Sequence, residues 1–539
     1  MSRIPTGAPK RGKGTVGSRS FERRQVTRAR ATSARNARRR TIQARMGSRP
    51  SPRAQLRRVP TAAWVCAAIA FLNAFAWSLI VPAFQGRDEV DHFAYVSEMV
   101  EAGRLPRERA APYEAYSPKE SYAVEGLHYE QSRFTPYEPA ISSMAQQRTL
   151  ESDLAEKGSL VGTGEAGGTG GQPPFFYALQ TIPFVLGGAN VLDKLQLMRL
   201  FDVLLGALTA LLVFFFLREI LPGVPWAATV GAICAALQPQ FAFVTGSLNP
   251  DALMYPLAAG IFLCLARGFR RGFTRRRAIV LGVLIALGLV TYLSFVGVAV
   301  GALIAAAVLA GRQLKAGDER RETLVSLAIV FAIGLVPIVY ETLHNALVSR
   351  PALGAASTAG SALTFGSLWH EISYTWELFL PRLPGMTNYF PGLSTWRDIW
   401  FDRSVGFYGW MDTTFPSWVD NVALVIALAI AALCVRTLYT ERAALRARLP
   451  ELAGYAAIVV ALMAMLGVSS YAGDVVKHEA ALGEPRYLLP LLPLLAAIVA
   501  LAVRGAGRRW IPVVGTVLVV LFLGHDLLSQ MQTIGRYYG

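Results

Sequence analysis

Apolar segments, each long enough to cross a lipid bilayer, recur along most of this chain. Eleven of them are evident: 62–84, 198–217, 224–245, 251–267, 277–293, 294–311, 322–341, 419–438, 452–471, 487–503 and 510–528. Together with 53% apolar residues overall, this pattern excludes a soluble multidomain protein. It predicts an all-α polytopic membrane protein of about 11 transmembrane helices.

Positive charge is concentrated before the first apolar segment. Residues 1–60 hold 18 Lys and Arg residues and a single acid, Glu22, so they carry the whole formal net charge of +17. Their composition predicts a disordered tail. Because a membrane span follows directly, we expect the tail to contact anionic lipids and not nucleic acid.

Arginine clusters in the later loops predict the orientation. Loops 267–277, 311–321, 436–450 and 504–509 fall on the same side as the tail only if a shorter apolar stretch, 172–188, does not cross. The positive-inside rule then places the N-terminus in the cytoplasm. Residues 506–539 are predicted to form the last transmembrane helix and an external C-terminus. Two large loops, about 85–197 and 342–418, lie outside a plasma membrane. Their aromatic residues favour interfacial helices, and the stretch 172–188 is predicted to be a helix that lies in or dips into the outer interface.

The first external loop begins with a cluster of ionisable residues. Asp88, Asp91, His92 and Tyr95 share one face of a predicted helix, and Glu89 adds a second adjacent acid. Charges where hydrocarbon gives way to water are costly and usually functional. A plain helix cap at Asp88 or Glu89 is the alternative.

Three further polar points are predicted on the outer face. Asn249 and Asp251 flank Pro250 before a span, where Asp251 is either a helix cap or a site residue. Arg486 precedes the span at 487–503, where it is either a phosphate clamp or an interfacial anchor. The remaining candidates are Gln172, His370 paired with Glu371, Lys477, His478 and Tyr487.

These motifs, in this order, resemble those of the GT-C fold glycosyltransferases, which include protein mannosyltransferases and the aminoarabinose transferase. The matching stretches are 88–95, 172–177, 249–253 and 485–490. Gln172 stands where many relatives have His or Lys. The resemblance covers about residues 62–505 and implies a transmembrane catalytic module over 61–505.

The resemblance implies transfer of a sugar from a polyprenyl-phosphate-linked donor to a hydroxyl acceptor of the cell envelope, with inversion, on the extracytoplasmic face. Asp88 is then the first choice as general base and Glu89 the second, with a pKa raised by partial desolvation. Arg486, helped by Lys477 or His478, offsets the charge on the leaving phosphate. No spacing of ligands demands a cofactor, and a divalent cation, Mg²⁺ or Mn²⁺, held by Asp88, Glu89, His92 or Asp251, is left open.

Three other functions stay open. A lipid-linked glycan polymerase or ligase would use the same outer face with a longer donor. A secondary transporter would need broken spans and ionisable groups at mid-membrane, whereas the charges here gather near the outer interface. A structural assembly protein would tolerate substitution of single acids.

Overall fold

The computed structural model describes most of the chain after the tail. The described residues are 59–107, 116–128, 143–156, 158–162, 164, 166, 169–317, 319–347, 368–410, 413–476, 478 and 483–538. All but the last two residues of the predicted tail, 1–60, therefore lie outside the described residues.

The helices follow one another with short connections in most of the chain. They are α1 (Thr61–Ile80), α2 (Glu89–Glu101), α3 (Pro118–Gly126), α4 (Met144–Glu156), α5 (Phe175–Leu186), α6 (Val191–Ile220), α7 (Pro225–Ala236), α8 (Pro239–Thr245), α9 (Asp251–Arg271), α10 (Arg275–Leu289), α11 (Val296–Ala316), α12 (Arg320–Gly334), α13 (Val336–Leu347), α14 (Leu368–Phe379), α15 (Thr395–Arg397), α16 (Arg403–Val405), α17 (Ser417–Thr440), α18 (Arg442–Arg446), α19 (Leu449–Tyr471), α20 (Leu492–Gly505) and α21 (Ile511–Tyr538).

Shorter elements join them. The 3₁₀ turns are Leu293–Phe295 and Pro485–Leu491, and the π turns are Asp398–Asp402 and Ala472–Val476. Strands β1 (Phe407–Tyr408) and β2 (Thr413–Thr414) form an antiparallel pair in which Phe407 faces Thr414.

The prediction of an all-α polytopic membrane protein is confirmed. In the described part of the chain, eight helices are long and apolar enough to span a membrane, and two bent pairs raise this to as many as ten. The pairs are α7 with α8, bent by 58°, and α12 with α13, bent by 43°.

The predicted count of eleven spans is not confirmed. The difference lies in segment 277–293, where α10 has only 15 residues. A helix of that length is about 22 Å long, shorter than the hydrocarbon core of about 30 Å. In the stretch 172–188, α5 has 12 residues, which is too short for a span; its position at the membrane interface stays a prediction.

Close backbone packing joins spans that are distant in sequence. Helix α11 lies along α19, and a Cβ atom added at Gly301 would come 2.3 Å from the Cα of Ile458. Gly297, one turn earlier, would meet the Cα of Leu462 at 2.7 Å. These glycines let the two backbones approach closely, as small residues do in membrane helix pairs.

The bundle has two chemically different ends. Loops rich in arginine meet at one end, where Arg271 bonds Glu219 at 2.5 Å and Arg448 donates to the Ile220 carbonyl at 3.0 Å. Helices α6 and α9 each run from this end to the other, about 30 Å away for 20 residues. At that other end lie the residues with which α6 and α9 begin, among them Arg199 and Asp251, and they form the site described next.

Candidate active site

Four charged side chains from two distant parts of the sequence form a closed ring. In this four-charge ring, Arg486 Nη2 lies 3.1 Å from Asp88 Oδ2, and Arg486 Nε lies 2.7 Å from Glu484 Oε2. Arg87 closes it, with Nη2 2.7 Å from Glu484 Oε1 and Nε 3.6 Å from Asp88 Oδ2. The ring brings together Asp88 and Arg486, which were predicted from the sequence to act on the same ligand.

The local backbone explains how Asp88 reaches the ring. Gly86 packs so tightly that a Cβ atom there would lie 2.9 Å from the Cβ of Ser247. Asp88 then adopts a left-handed conformation with φ 58° as the residue before α2, and its side chain makes no helix-capping hydrogen bond. Asp tolerates this conformation better than most residues. The capping alternative for Asp88 is therefore not what the structure shows, and its carboxylate faces Arg486.

A third carboxylate approaches the ring from the start of α9. Asp251 Oδ2 lies 3.8 Å from Arg486 Nε, and the Asp251 backbone N–H donates to Asn249 Oδ1 at 2.9 Å. Asp251 is 2% exposed, and among the described residues its Oδ2 has no hydrogen-bond partner; the same holds for the buried hydroxyl of Tyr255, one turn further along α9. Buried polar atoms left unsatisfied are rare and mark sites where a ligand or function is involved.

Glu89, the acid next to Asp88, is enclosed in a different arrangement. Arg199 donates to its two carboxylate oxygens at 2.7 and 2.6 Å, and the Leu248 N–H donates to Oε1 at 2.9 Å. The remaining N–H groups of Arg199 reach the carbonyls of Ser78, Val81 and Pro82. Glu89 is 0% exposed, so it is not available to an acceptor hydroxyl in this conformation.

Another buried acid on α6 fixes the turn before α9. Asp202 accepts hydrogen bonds from the Asn249 N–H at 3.0 Å and from Gln180 Nε2 at 2.7 Å. Asn249 also approaches the Arg87 carbonyl through Nδ2 at 3.5 Å. Asn249 therefore connects α6, α9 and the loop that carries the ring.

Aromatic residues join α2 to α5 beside the ring. Tyr95 stacks on Tyr177 with ring centroids 3.7 Å apart, and its hydroxyl donates to the Gln172 carbonyl at 3.1 Å. His92 Nδ1 lies 3.0 Å from the Tyr177 hydroxyl. His92, Tyr95 and Gln172, three predicted substrate-binding residues, thus lie next to one another.

The charges of the ring control the pKa of Asp88. Burial alone would raise it, but the positive charges of Arg486 and Arg87 outweigh burial and lower the pKa of Asp88 below its ordinary value. The raised pKa expected from the sequence is therefore wrong for this conformation. For His92, burial is the largest effect and lowers its pKa to about 4, although the charge of Asp88 acts to raise it, so His92 is neutral near pH 7.

Of the other predicted site residues that the structure describes, Tyr487 lies at the four-charge ring and the rest lie elsewhere. The aromatic centroid of Tyr487 lies 5.2 Å from the guanidinium carbon of Arg486. Asp91 accepts from the Tyr116 hydroxyl at 2.6 Å, on the side of α2 toward α3. His370 contacts Tyr389 at 2.9 Å within the second predicted external loop, and His478 is exposed. Lys477 lies outside the described residues.

The fit of a divalent cation can be judged from the same carboxylates. Among the described residues, no group of three or more His, Cys, Asp or Glu side chains is arranged to hold a metal ion. Arg486 fills the space between Asp88 and Asp251, and Arg199 takes both oxygens of Glu89. In this arrangement the carboxylates fit guanidinium groups and not Mg²⁺ or Mn²⁺.

Several residues of this region were not predicted from the sequence. Arg87 and Glu484 adjoin the predicted motifs but were not selected, although each contacts two other members of the ring. Arg199, Asp202 and Tyr255 are further omissions. A signal for Arg199 and Asp202 was present in the sequence, because both lie within the apolar segment 198–217. An ionisable residue within an apolar segment is usually functional or paired.

Comparison with known proteins identifies a family. Residues 71–495 match the family described as "Predicted membrane protein (DUF2142)". The chain belongs to this family. No curated protein matches this chain.

Among solved structures, the chain is similar to the oligosaccharyltransferase of Archaeoglobus fulgidus. The structure in complex with Zn and sulfate gives a TM-score of 0.45 at 15% identity, covering 88% of this chain and 53% of that one. The apo form gives 0.45 at 13%, covering 88% and 56%. The form tethered to an acceptor peptide gives 0.40 at 13%, covering 88% and 55%. The chain thus spans about half the length of the solved structures it matches.

A small cavity adjoins the ring, and an apolar groove lies among the spans. A cavity of about 20 Å³ is lined by three ring residues together with Asn249, Gln240 and Phe407, among others. This volume is about that needed by one water molecule. A much larger apolar groove of about 570 Å³ lies between α17, α20 and α21.

The groove and the cavity are lined by nearby residues of the same two segments. Gln238 lines the groove and Gln240 lines the cavity, two residues apart on the same short segment. Val405 and Phe407 repeat this relation on the segment between α16 and β1. Gln240 Nε2 ties the two segments together by donating to the Phe407 carbonyl at 2.8 Å.

Proposed function

We propose that this protein transfers a sugar from a polyprenyl-phosphate-linked donor to a hydroxyl acceptor of the cell envelope, with inversion, at the extracytoplasmic face of the plasma membrane. The observation that carries the proposal is the 3.1 Å contact between Asp88 and Arg486, residues 398 positions apart in the sequence. It joins a carboxylate to a phosphate-binding group at one end of a membrane-spanning bundle.

Arg486 and Arg87 supply the positive charge for the donor phosphate. Guanidinium groups match phosphate oxygens in a bidentate way. Both are near the small cavity, and Arg486 is 6% exposed, so water screens its charge little. As the sugar–phosphate bond breaks, negative charge develops on the leaving phosphate, and these two groups stabilise it.

Asp88 is the general base of the proposal, and Glu89 fixes the start of α2 through its ion pair with Arg199. Asp88 is about a third exposed, with a side-chain exposure of 31%, whereas both oxygens of Glu89 are taken by Arg199. When Arg486 engages a phosphate, its attraction for Asp88 weakens, so the pKa of Asp88 rises. Asp88 then becomes a better acceptor for the proton of the attacking hydroxyl.

The apolar groove accommodates the lipid part of the donor. A polyprenyl chain needs an apolar surface that opens to the hydrocarbon core, while its phosphate stays at the polar end. The groove lies between spans and comes within two residues of the cavity on two separate segments. Tyr95, Gln172, Asn249 and Tyr487 are then placed to orient the sugar and the acceptor.

The test is a transfer assay with the purified protein in liposomes. Polyprenyl-phosphate mannose and polyprenyl-phosphate glucose, each labelled in the sugar, are mixed with envelope extract, and label leaving the lipid fraction is counted. We expect transfer by the native chain and loss of transfer on Asp88→Asn. Glu441→Gln is the matched control, because Glu441 pairs with Arg504 at the other end of the bundle.

Each outcome decides a different part of the proposal. Near-native transfer by Asp88→Asn removes Asp88 as the base, and absence of transfer from both donors removes the proposed donors. A ladder of products of increasing length indicates a polymerase instead. Labelling of single cysteines by an impermeant reagent in cells tests the side of the membrane: the ring end must react and the arginine-rich end must not.

A further inference from the structure

Glu484 lies where a ligand anion would be expected to bind. Its two oxygens each contact a different arginine at 2.7 Å, Arg87 through Nη2 and Arg486 through Nε. These are the shortest contacts of the four-charge ring. A single carboxylate that bridges two guanidinium groups uses its oxygens as a phosphate would.

The bridge leaves hydrogen-bonding capacity unused. Arg486 Nε is close to Glu484, but its N–H is not aligned for a hydrogen bond, and within the described residues Arg87 Nε and Nη1 also have no hydrogen-bond partner. All three nitrogens are buried. Unaligned buried donors around a cavity are costly, and a ligand with more oxygen atoms would satisfy them.

The charges show that Glu484 and a phosphate cannot both be bound well. Asp88, Asp251 and Glu484 already place three carboxylates on two guanidinium groups. A phosphate would add one more anion to this cluster, and the cavity holds only about one water. One carboxylate must therefore leave when a phosphate arrives.

We propose that Glu484 is a resident anion, which occupies a two-arginine site of Arg87 and Arg486 and is displaced by the phosphate of a lipid phosphate ligand. Glu484 is the carboxylate that leaves because its two oxygens bridge both arginines, in the place that two oxygens of a phosphate would take. Asp88 contacts them at 3.1 and 3.6 Å, and Asp251 reaches only Arg486. This inference rests on the proposed function, to which it adds Glu484 as a competitor that sets donor affinity.

The proposal is tested by direct binding to the full chain in detergent, with farnesyl phosphate as the probe. Farnesol, which lacks the phosphate, and inorganic phosphate, which lacks the lipid, are measured alongside. Removing the competitor in Glu484→Gln should tighten farnesyl phosphate binding about 10-fold, the effect of one charge-assisted contact. Arg87→Gln should weaken it by at least about 10-fold and cancel the gain in the double variant.

A second variant separates displacement from simple repulsion. Glu484→Asp keeps the negative charge but is one methylene shorter, so it cannot bridge both arginines as Glu484 does. Displacement predicts tighter binding of farnesyl phosphate by Glu484→Asp, whereas repulsion predicts native binding. Farnesol affinity should not change in any variant, and Glu441→Gln is the control at the other end of the bundle.

The outcomes distinguish this inference from the proposed function. Native or weaker binding of farnesyl phosphate by both Glu484 variants, with native unfolding temperatures, overturns the resident anion. Equal gains for inorganic phosphate and farnesyl phosphate assign the site to free phosphate and overturn the lipid ligand. If binding changes as expected while no sugar is transferred, the anion site stands and the proposed transferase activity fails.

Discussion

Two arginines at the same end of the bundle bind carboxylates in opposite ways. Arg199 donates five hydrogen bonds, two to Glu89 and three to backbone carbonyls at the end of α1. Arg486 lies among three carboxylates, and its Nε makes no aligned hydrogen bond within the described residues. Both side chains are at least 93% buried.

The number of satisfied donors distinguishes a structural ion pair from one that can accept a ligand. A fully satisfied buried ion pair fixes the chain and has no capacity left for a ligand. An arginine shared among several acids can exchange one of them for a ligand anion. Composition alone does not distinguish the two cases, because each combines Arg with Asp or Glu; the distinction lies in how many donors are satisfied.

The largest expected effect is on folding, when Arg199 is replaced. Arg199→Met leaves Glu89 buried without its partner, which typically costs about 3–5 kcal/mol. Arg486→Met should cost less stability, because Arg87 still contacts Glu484 and Asp88, and the Asp88 side chain is 31% exposed. Thermal unfolding in detergent measures both. Equal losses in the two variants would remove the contrast between the two arginines.

The next effect is on activity, and it compares two adjacent acids. Asp88→Asn should reduce sugar transfer by about 10²–10⁴-fold, the usual contribution of a general base. Asn also tolerates the left-handed conformation at φ 58°, so the fold should persist. Glu89→Gln should instead lose stability while its folded fraction keeps most of the activity. The measurements are initial rates corrected for folded protein; the reverse pattern would make Glu89 the base.

How much the sequence revealed depends on the physical origin of each feature. The spans were predictable because apolar length is a local property, and Asp88, Asp251 and Arg486 were predictable because charge at a membrane boundary is costly. The bend between α7 and α8 was not predicted, since the segment 224–245 is apolar throughout.

The roles of the residues were harder to predict than their positions. The sequence could not distinguish Asp88 from Glu89, because the distinction comes from Arg199, 110 positions away. The lowered pKa of Asp88 likewise depends on Arg486, and partial burial alone led to the opposite expectation. Contacts between distant segments set these properties, and no local pattern encodes them.

A smaller effect compares two buried aspartates. Asp202 has both oxygens hydrogen-bonded, to Asn249 and Gln180, whereas Asp251 has an unpartnered Oδ2 among the described residues. Asp202→Ala leaves those donors unsatisfied and should cost about 1–3 kcal/mol. Asp251→Ala should change stability less and donor affinity more. Chemical unfolding and farnesyl phosphate binding check the pair, and the contrast fails if Asp251→Ala is the less stable protein.

The smallest expected effect on the native protein comes from two groups whose pH dependences oppose each other. Burial raises the pKa of Glu120 from 4.5 to about 7 and lowers that of His92 from 6.5 to about 4. Glu120 therefore contributes stability that is lost as pH rises from 4.5 to 7. His92 contributes stability that is lost as pH falls from 6.5 to 4. Between pH 5 and 6.5 the two slopes, each at most about 1.4 kcal/mol per pH unit, largely cancel.

In Glu120→Gln only the His92 slope remains, so the variant should gain stability, relative to the native chain, from pH 5 to 6.5. His92→Gln should show the opposite trend, because only Glu120 then titrates. Unfolding temperatures of the three proteins at both pH values measure the differences, in which all other titrating groups cancel. Parallel behaviour of the three would mean that neither group is held in its neutral form by burial.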